Sequence, residues 1–333
     1  MSRTAWRWSP SPRLRTTATV TSCLASVAIL PVTIARLAGG DQRFPAPVLA
    51  AAAPFAVPPL AVAVALALAG RPRWIAAIPG ALLVLHVAWL APSFSSDDGP
   101  AGASTQKSPE LTVMTANILF GQADADALVR EVRERRVDVL AVEELTPSAV
   151  QRLQEAGLEQ LLPSSLLAPA PEAAGTGLWS RLPLTALPAV PGTEFAMPRA
   201  RLELPSGSSV TVTAVHPSSP VDDASIAQWG REMTSLRQTL EGTAGRQIVA
   251  GDFNATRDHA PFRQILDAGL TDAADAQGWT AWPGMTWPAN RSYPPVMRLD
   301  HVLVSTGIEV RDVDVVAIPG TDHRAVVAHL TTT

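Results

Sequence analysis

Thiols are almost missing from this chain: Cys23 is the sole cysteine among 333 residues. No disulfide framework can be built from it, so the rest of the protein must be held by packing, and thiolate metal sites are excluded. Tyrosine is equally scarce, with only Tyr293. There is no repeat period, which excludes solenoids and propellers. Charge is missing from three long stretches near the N-terminus: 20 uncharged residues separate Arg15 from Arg36, 27 separate Arg43 from Arg71, and 23 separate Arg73 from Asp97. No paired charges lie within them, so nothing supports a transporter or sensor.

What is present is apolar weight, with 47% hydrophobic residues and a mean hydropathy of +0.16. That is too much for a purely soluble protein of this size. Each uncharged stretch is long enough to cross about 30 Å of hydrocarbon as a helix, which predicts three spans within residues 1–92. Pro45, Pro47, Pro54, Pro58 and Pro59 narrow the second to roughly Ala50 to Ala69. Arg3, Arg7, Arg13 and Arg15 before the first span, and Arg71 and Arg73 after the second, place those ends in the cytoplasm. Arg36, Arg43 and Asp41 between the first two spans give a weaker signal. An odd number of spans then leaves everything after Ser96 outside, a multi-pass cell-membrane protein with an extracytoplasmic domain. His86, in the third span, reads as a helix-packing or interface residue rather than a functional one.

Residues 93–109 are rich in Ser, Gly and Pro and read as a linker. From 110–333 the composition is that of one globular domain. Residues 1–108 carry 9 Lys+Arg and 3 Asp+Glu, and 109–333 carry 17 and 27, so the two parts are +6 and −10. A negative domain argues mildly against a long polyanion as partner.

Within that domain, β-rich runs are expected at Leu111 to Met114, Val137 to Val142, Gly177 to Ser180, Ala200 to Leu204, Val210 to Val215, Gln247 to Ala250, Leu299 to Val304, Ile308 to Ile318 and Val326 to Leu330. Helical spacing marks Ala123 to Arg136, Thr146 to Ala156, Ile226 to Leu240 and Pro261 to Ala268, with Asp124 as a cap. The Ala/Pro-rich tract near Leu167 to Ala174 reads as a loop. The order predicts an α/β class of packed sheets with helices outside. A hairpin through Pro205-Ser206-Gly207-Ser208 fits a doubly wound parallel sheet less well.

Polar groups cluster where these strands end. Gly251-Asp252-Phe253-Asn254 follows the apolar run Ile248-Val249-Ala250, and two residues apart on an extended chain means one face. A carboxylate and an amide aimed into a cleft can hold a water beside a phosphate, whereas a plain turn needs only one of them. Asn117 follows the first strand, Glu143 and Glu144 the second, and His216 the strand before Pro217; Asp300-His301 opens another, and Thr321-Asp322-His323 precedes the last. Each alone reads equally as a turn or cap residue, and at most one of the adjacent glutamates enters a cleft. Taken together, Glu144, Asp252 and Asp322 supply hard oxygen ligands beside imidazoles and amides, an inventory for Mg²⁺ or Mn²⁺ rather than structural zinc.

In these clusters and their order, residues 110–332 resemble the endonuclease/exonuclease/phosphatase superfamily, the group of DNase I, exonuclease III and bacterial sphingomyelinases. Gly175-Thr176-Gly177-Leu178-Trp179-Ser180-Arg181 resembles its central strand. The resemblance implies a four-layer α/β sandwich, DNase I-like, with the site at one end of two packed sheets. It implies that Asn117, Glu144 and Asp322 serve the metal, that Asp252 activates water and Asn254 positions it, that His216 contacts phosphate or assists the leaving group, and that Asp300 pairs with His323 on the phosphate. No acidic partner for His216 precedes Trp179, and the sole tyrosine lies in a Pro-rich loop, so abasic-site repair is not carried over.

The expectation is a membrane-tethered, divalent-metal-dependent phosphoester hydrolase acting outside the cytoplasm, a phosphodiesterase or nuclease-like enzyme on nucleic acid or a phospholipid head group. No protein partner is evident. The alternatives are a catalytically silent binding module on the same fold, or a phospholipid or sphingomyelin-type phosphodiesterase. Trp282, Trp287 and Arg291 in the Trp279 to Met297 loop are candidates for substrate contact.

Overall fold

A computed structural model describes residues 11–39, 43–70, 72–91, 110–276 and 284–332. The linker at 93–109, Arg3, Arg7, Asp41, Arg71, Trp279 and Trp282 lie outside the described residues.

Helix α1 spans Pro12–Leu37, entered through a Ser11 cap that accepts from the Leu14 amide. Prolines break the next stretch inside the span expected over Ala50 to Ala69. The short α2 (Ala46–Ala51) is followed by a 3₁₀ turn over Ala53–Ala56 and then α3 (Val57–Ala69). Helix α4 covers Ala77–Leu90. Two of these helical runs, Pro12–Leu37 and Arg73–Leu90, are long and apolar enough to cross a membrane, and Ala53–Ala69 is a shorter apolar run. Membrane segments at the N-terminus are thus only weakly supported, and their number is not fixed by length. His86 is a packing residue, as expected: one ring nitrogen meets the Ala53 carbonyl at 2.9 Å and the other the Thr33 hydroxyl at 3.1 Å.

Two six-stranded mixed sheets follow. Their elements in chain order are β1 (Glu110–Asn117), α5 (Ala125–Glu134), β2 (Val139–Glu143), α6 (Pro147–Glu155), α7 (Leu158–Leu161), β3 (Ser164–Ala168), β4 (Thr176–Ser180), β5 (Leu184–Leu187), β6 (Arg199–Glu203), β7 (Ser209–Val215), α8 (Asp223–Glu241), β8 (Gln247–Asp252), α9 (Ala260–Asp267), β9 (Leu270–Asp272), α10 (Ala273–Ala276), β10 (Asp300–Ser305), β11 (Ile308–Ala317) and β12 (Arg324–Thr332). The first sheet runs β11-β12-β1-β2-β4-β3 and the second β5-β6-β7-β8-β10-β9. Each holds one parallel pair at its centre, β1 with β2 and β7 with β8, joined across α5 and α8 respectively. All other pairings are antiparallel, which a doubly wound sheet would not show.

Strand alternation builds the layers. Val139 and Ala141 face the core between the sheets with Val212, Ala250 and Val302, while Leu140 and Val142 face outward onto α5 and α6 through Leu128 and Leu153. In the second sheet Ile248 and Ala250 point inward and Val249 outward to Trp229, Leu236 and Phe262 of α8 and α9. The central strands are therefore apolar on both faces, and each fully buried Leu or Phe contributes about 1.5–3 kcal/mol. Helix entry follows the sequence: Asp124, Thr146 and Asp222 cap α5, α6 and α8, each accepting a backbone N–H, worth about 1 kcal/mol apiece. Strands β3, β5 and β9 lie where no strand was expected, and β3 takes the first residues of the tract read as a loop. They are short or partly exposed edge strands whose pattern is set by their neighbours, not by their own periodicity.

Candidate active site

The two parallel pairs end on the same side of the sandwich. Register pairs Asn117 with Glu143 in the first sheet and Val215 with Gly251 in the second, so the four strand exits bring Asn117, Glu144, His216 and Asp252 together. Asp300 opens β10 directly opposite Asp252, and the turn before β12 delivers Asp322 and His323.

Asn117 is the hinge of the cluster. Its side-chain nitrogen donates to Glu144 Oε1 and to Asp252 Oδ2, at 3.0 Å each, joining the first sheet to the second. Its oxygen accepts from the Leu119 N–H at 2.9 Å. The amide nitrogen, not the oxygen, thus faces the acids, and Asn117 arranges the carboxylates in this geometry.

The adjacent glutamates part as expected. Glu143 ends β2 inside the sandwich, fully buried, where the Thr115 hydroxyl sits 3.0 and 3.1 Å from its two carboxylate oxygens. Burial, with the nearby Asp300 carboxylate, pushes its pKa well up. Glu144 takes a left-handed φ of 59° and swings into the cleft, where Phe120 N–H donates to Oε2 at 2.7 Å. Its pKa is also raised by burial, against the pull of the Asn117 bond.

Asp252 and Asn254 do meet, but for a different reason from the one the sequence gives. The strand stops at Asp252, and Asn254 has a φ of 49°, so a turn rather than pleat alternation brings them together. The Asn254 N–H donates to Asp252 Oδ1 at 2.8 Å, and its side-chain nitrogen donates to the Pro217 carbonyl at 3.0 Å, tying down the segment after His216. Phe253 between them enters the core. Gly251 is required by a close approach: a Cβ there would lie 2.0 Å from the Val215 carbonyl oxygen, backbone against side chain between neighbouring strands.

His323 lies at the centre. One ring nitrogen bonds Asp300 Oδ2 at 2.8 Å and the other sits 3.8 Å from Asp252 Oδ2 and 4.0 Å from Asp322 Oδ1. Burial works against the charged ring, but Asp300, Asp252 and Asp322 outweigh it and raise its pKa to about 10. Asp252 itself is raised by burial, opposed by His323. His216 is lowered by burial, offset in part by Asp252, and packs on Phe195 at 5.2 Å between ring centroids. Its Nδ1 is buried without a hydrogen-bond partner among the described residues.

Alternation separates Asp300 from His301. His301 points to the other face, donating to Asp272 Oδ2 at 2.6 Å and to the Ala255 carbonyl at 3.0 Å. Trp287 is held inside the site by its indole N–H, 3.0 Å from Asp322 Oδ2. Arg291 and Tyr293 of the same loop are exposed and line no part of the cavity.

Around these groups is a cavity of about 490 Å³, lined by Glu144, His216, Asp252, Asn254, Asp322 and His323. Sequence reasoning did not single out Glu232. This fully buried acid on α8 accepts from the backbone N–H of Glu194 and of Ser218, each at 2.7 Å, and so fixes the segment after His216. Its place at helical spacing between the buried Trp229 and Leu236 was the available signal.

The residues suit a hard divalent cation. Asp322 Oδ1 is buried with no hydrogen-bond partner, Glu144 and Asp252 line the same cavity, and no cysteine is among the lining residues. Asp252, Asp300 and His323 also bring ligand atoms within 4.8 Å of one another.

A sequence profile of the Endonuclease/Exonuclease/phosphatase family matches residues 114–323. No curated protein sequence matches the chain. Among solved structures, zebrafish (D. rerio) TDP2 complexed with a single-strand DNA product is 18% identical, covering 67% of this chain and 99% of that one with a TM-score of 0.55. An endonuclease/exonuclease/phosphatase from Beutenbergia cavernae is 19% identical over 67% of this chain and 72% of that one, TM-score 0.51. The mannosyl-6-phosphatase Bt3783 of Bacteroides thetaiotaomicron is 14% identical over 66% and 99%, TM-score 0.51. At such identities the likeness establishes the fold alone.

Proposed function

The chain belongs to the endonuclease/exonuclease/phosphatase family, and from the geometry of its site we propose that it is a divalent-cation-dependent phosphoester hydrolase, held at the cell membrane by its N-terminal helices with the catalytic domain outside the cytoplasm. The observation that carries this reading is the Asn117 amide spanning Glu144 of one sheet and Asp252 of the other at 3.0 Å each, beside the unpartnered Asp322 oxygen. A fold that only displayed a surface would have no need to gather three carboxylates and a cationic imidazole in a cavity. Solved relatives include one holding a DNA product and one mannosyl-6-phosphatase, so the fold presents phosphate groups from unlike molecules.

Glu144 and Asp322, with Asp252 beside them, would hold Mg²⁺ or Mn²⁺, which when bound neutralises charge on phosphoryl and leaving oxygens. Asp252 takes the proton from water, its Oδ1 fixed by Asn254 and its Oδ2 by Asn117. The water oxygen bonds to phosphorus as the ester P–O bond breaks, the departing oxygen takes a proton from solvent, and Asp252 returns the proton it accepted to solvent. His323, kept cationic by Asp300, offsets charge on the phosphoryl group, while the neutral His216 faces it from β7.

Purified full-length protein in detergent should cleave p-nitrophenyl phosphate or bis-p-nitrophenyl phosphate with Mg²⁺ or Mn²⁺, and EDTA should reduce the rate to background. Absence of cleavage across both esters and both ions would favour a silent module. The external placement rests on the arginines around the predicted spans; a reporter fused at Gly102 should be active only outside, and cytoplasmic activity would overturn it.

A further inference from the structure

The N-terminal helices do more than precede the catalytic domain, because three polar contacts dock one end of them beside the site. Arg36, in the last turn of α1, is buried and pairs with Asp258 at 2.5 Å, its guanidinium stacked 4.1 Å from the Trp89 ring of α4. The Phe44 N–H donates to Asp223 Oδ1 at 2.7 Å, at the start of α8. His259 Nδ1 accepts from the Thr256 N–H at 2.9 Å, which leaves Nε2 to donate to the Pro47 carbonyl at 3.0 Å. Burial keeps that ring neutral, with its pKa lowered to about 4, so the donor arrangement holds at physiological pH.

These contacts bring Pro47, Val48 and Ala51 of α2 into the wall of the same 490 Å³ cavity that holds Asp252 and His323. The facing walls are apolar as well, through Phe120, Phe195 and Val221. Three side chains of this lining, Val48 at 49%, Phe120 at 47% and Val221 at 66%, are exposed, with no element of the described residues over them. Among the described residues no lysine or arginine lines the cavity, and none stands ready there for a second or third phosphate of a polyanion. The polar end therefore takes one phosphate group, and the rest of the pocket is suited to hydrocarbon.

We infer that α2 is part of the substrate site, and that the substrate is an amphipathic phosphoester whose apolar moiety lies against Val48 and Phe120 while its phosphate reaches Asp252 and His323. This rests on the hydrolase reading and names its substrate class. The cavity wall includes α2 near the end of the bundle where α1 stops, which suits a membrane-resident lipid that reaches the carboxylates without leaving the interface.

The test uses the full chain in lipid nanodiscs and two matched pairs: dioleoyl phosphatidic acid against glycerol 3-phosphate, and dioleoyl phosphatidylglycerol against glycerophosphoglycerol, with a single-stranded oligonucleotide as a further arm. The expected result is a higher kcat/KM for the acylated member of at least one pair, and a fall of about tenfold or more in that preference in Val48→Asn, whose thermal unfolding should match the wild type. Phe120→Ser, on the opposite wall, should lower the preference similarly. Cleavage of soluble esters or the oligonucleotide with no preference for acyl chains, or a preference unmoved by both variants, would overturn the inference and leave the hydrolase reading standing. If no ester of any kind is cleaved, both fail.

Discussion

Asp252→Asn is expected to lower kcat for a soluble phosphodiester by about 10²- to 10⁴-fold, the usual contribution of a positioned proton acceptor. Asp252 is 1% exposed, and its two oxygens are occupied by the Asn254 backbone N–H and the Asn117 side chain. An amide of the same shape keeps the volume but loses the basic oxygen, and it turns a donor toward one of two donors already there. KM should change much less than kcat, because the loss falls on the transition state. Circular dichroism should show the sheets intact. A variant that keeps more than about a tenth of wild-type turnover would remove Asp252 from the proton transfer.

Asp272→Ala is expected to cost about 3–5 kcal/mol of stability without touching the reacting groups. Asp272 is 2% exposed; it accepts from His301 at 2.6 Å and from the Ala274 N–H at 3.0 Å, and Arg298 lies 3.3 Å away. Its removal leaves His301 buried beneath Phe253 and Phe262 without its acidic partner. Burial alone would raise the Asp272 pKa, but Arg298 and His301 reverse this and hold it well below the usual carboxylate range. Because the folded-state pKa is depressed, the stabilisation is complete above the unfolded value of about 4 and fades as pH falls through and below it. Denaturant unfolding at pH 7 should show the full difference from wild type, and the gap should narrow as the pH drops below about 4. A difference within about 1 kcal/mol at pH 7 would contradict this account of the pair.

The parts of this protein that were legible in its sequence are those set by local chemistry. Uncharged runs marked the N-terminal helices, but the second expected span, Ala50 to Ala69, is broken within itself by the turn at Ala53–Ala56. Strand exits carried the polar groups because a buried sheet has nowhere else to place them, and all eight residues singled out for the site do meet around one cleft. Alternation placed Asp300 and His301 on opposite faces, while a left-handed turn at the end of β2 parted Glu144 from Glu143. What sequence could not show depends on distance along the chain or on departures from ideal backbone. Asn254 reaches its place through a left-handed turn, and a reading based on extended pleats assigns it the wrong geometry. Asn117 presents its nitrogen to Glu144 and Asp252 because the Leu119 N–H occupies its oxygen. The docking of α2 joins residues 212 positions apart at Pro47 and His259, and no local pattern encodes it.

The central claim is that Glu144, Asp252 and Asp322 form one cation-dependent hydrolytic centre across the two sheets. Its most direct test is the Mg²⁺ dependence of bis-p-nitrophenyl phosphate cleavage by the full chain, measured side by side for the wild type and Glu144→Gln. The account predicts saturable activation by Mg²⁺ in the wild type and a requirement for about 10- to 100-fold more Mg²⁺ in the variant. Cleavage that persists in EDTA, or identical Mg²⁺ curves for the two proteins, would contradict it.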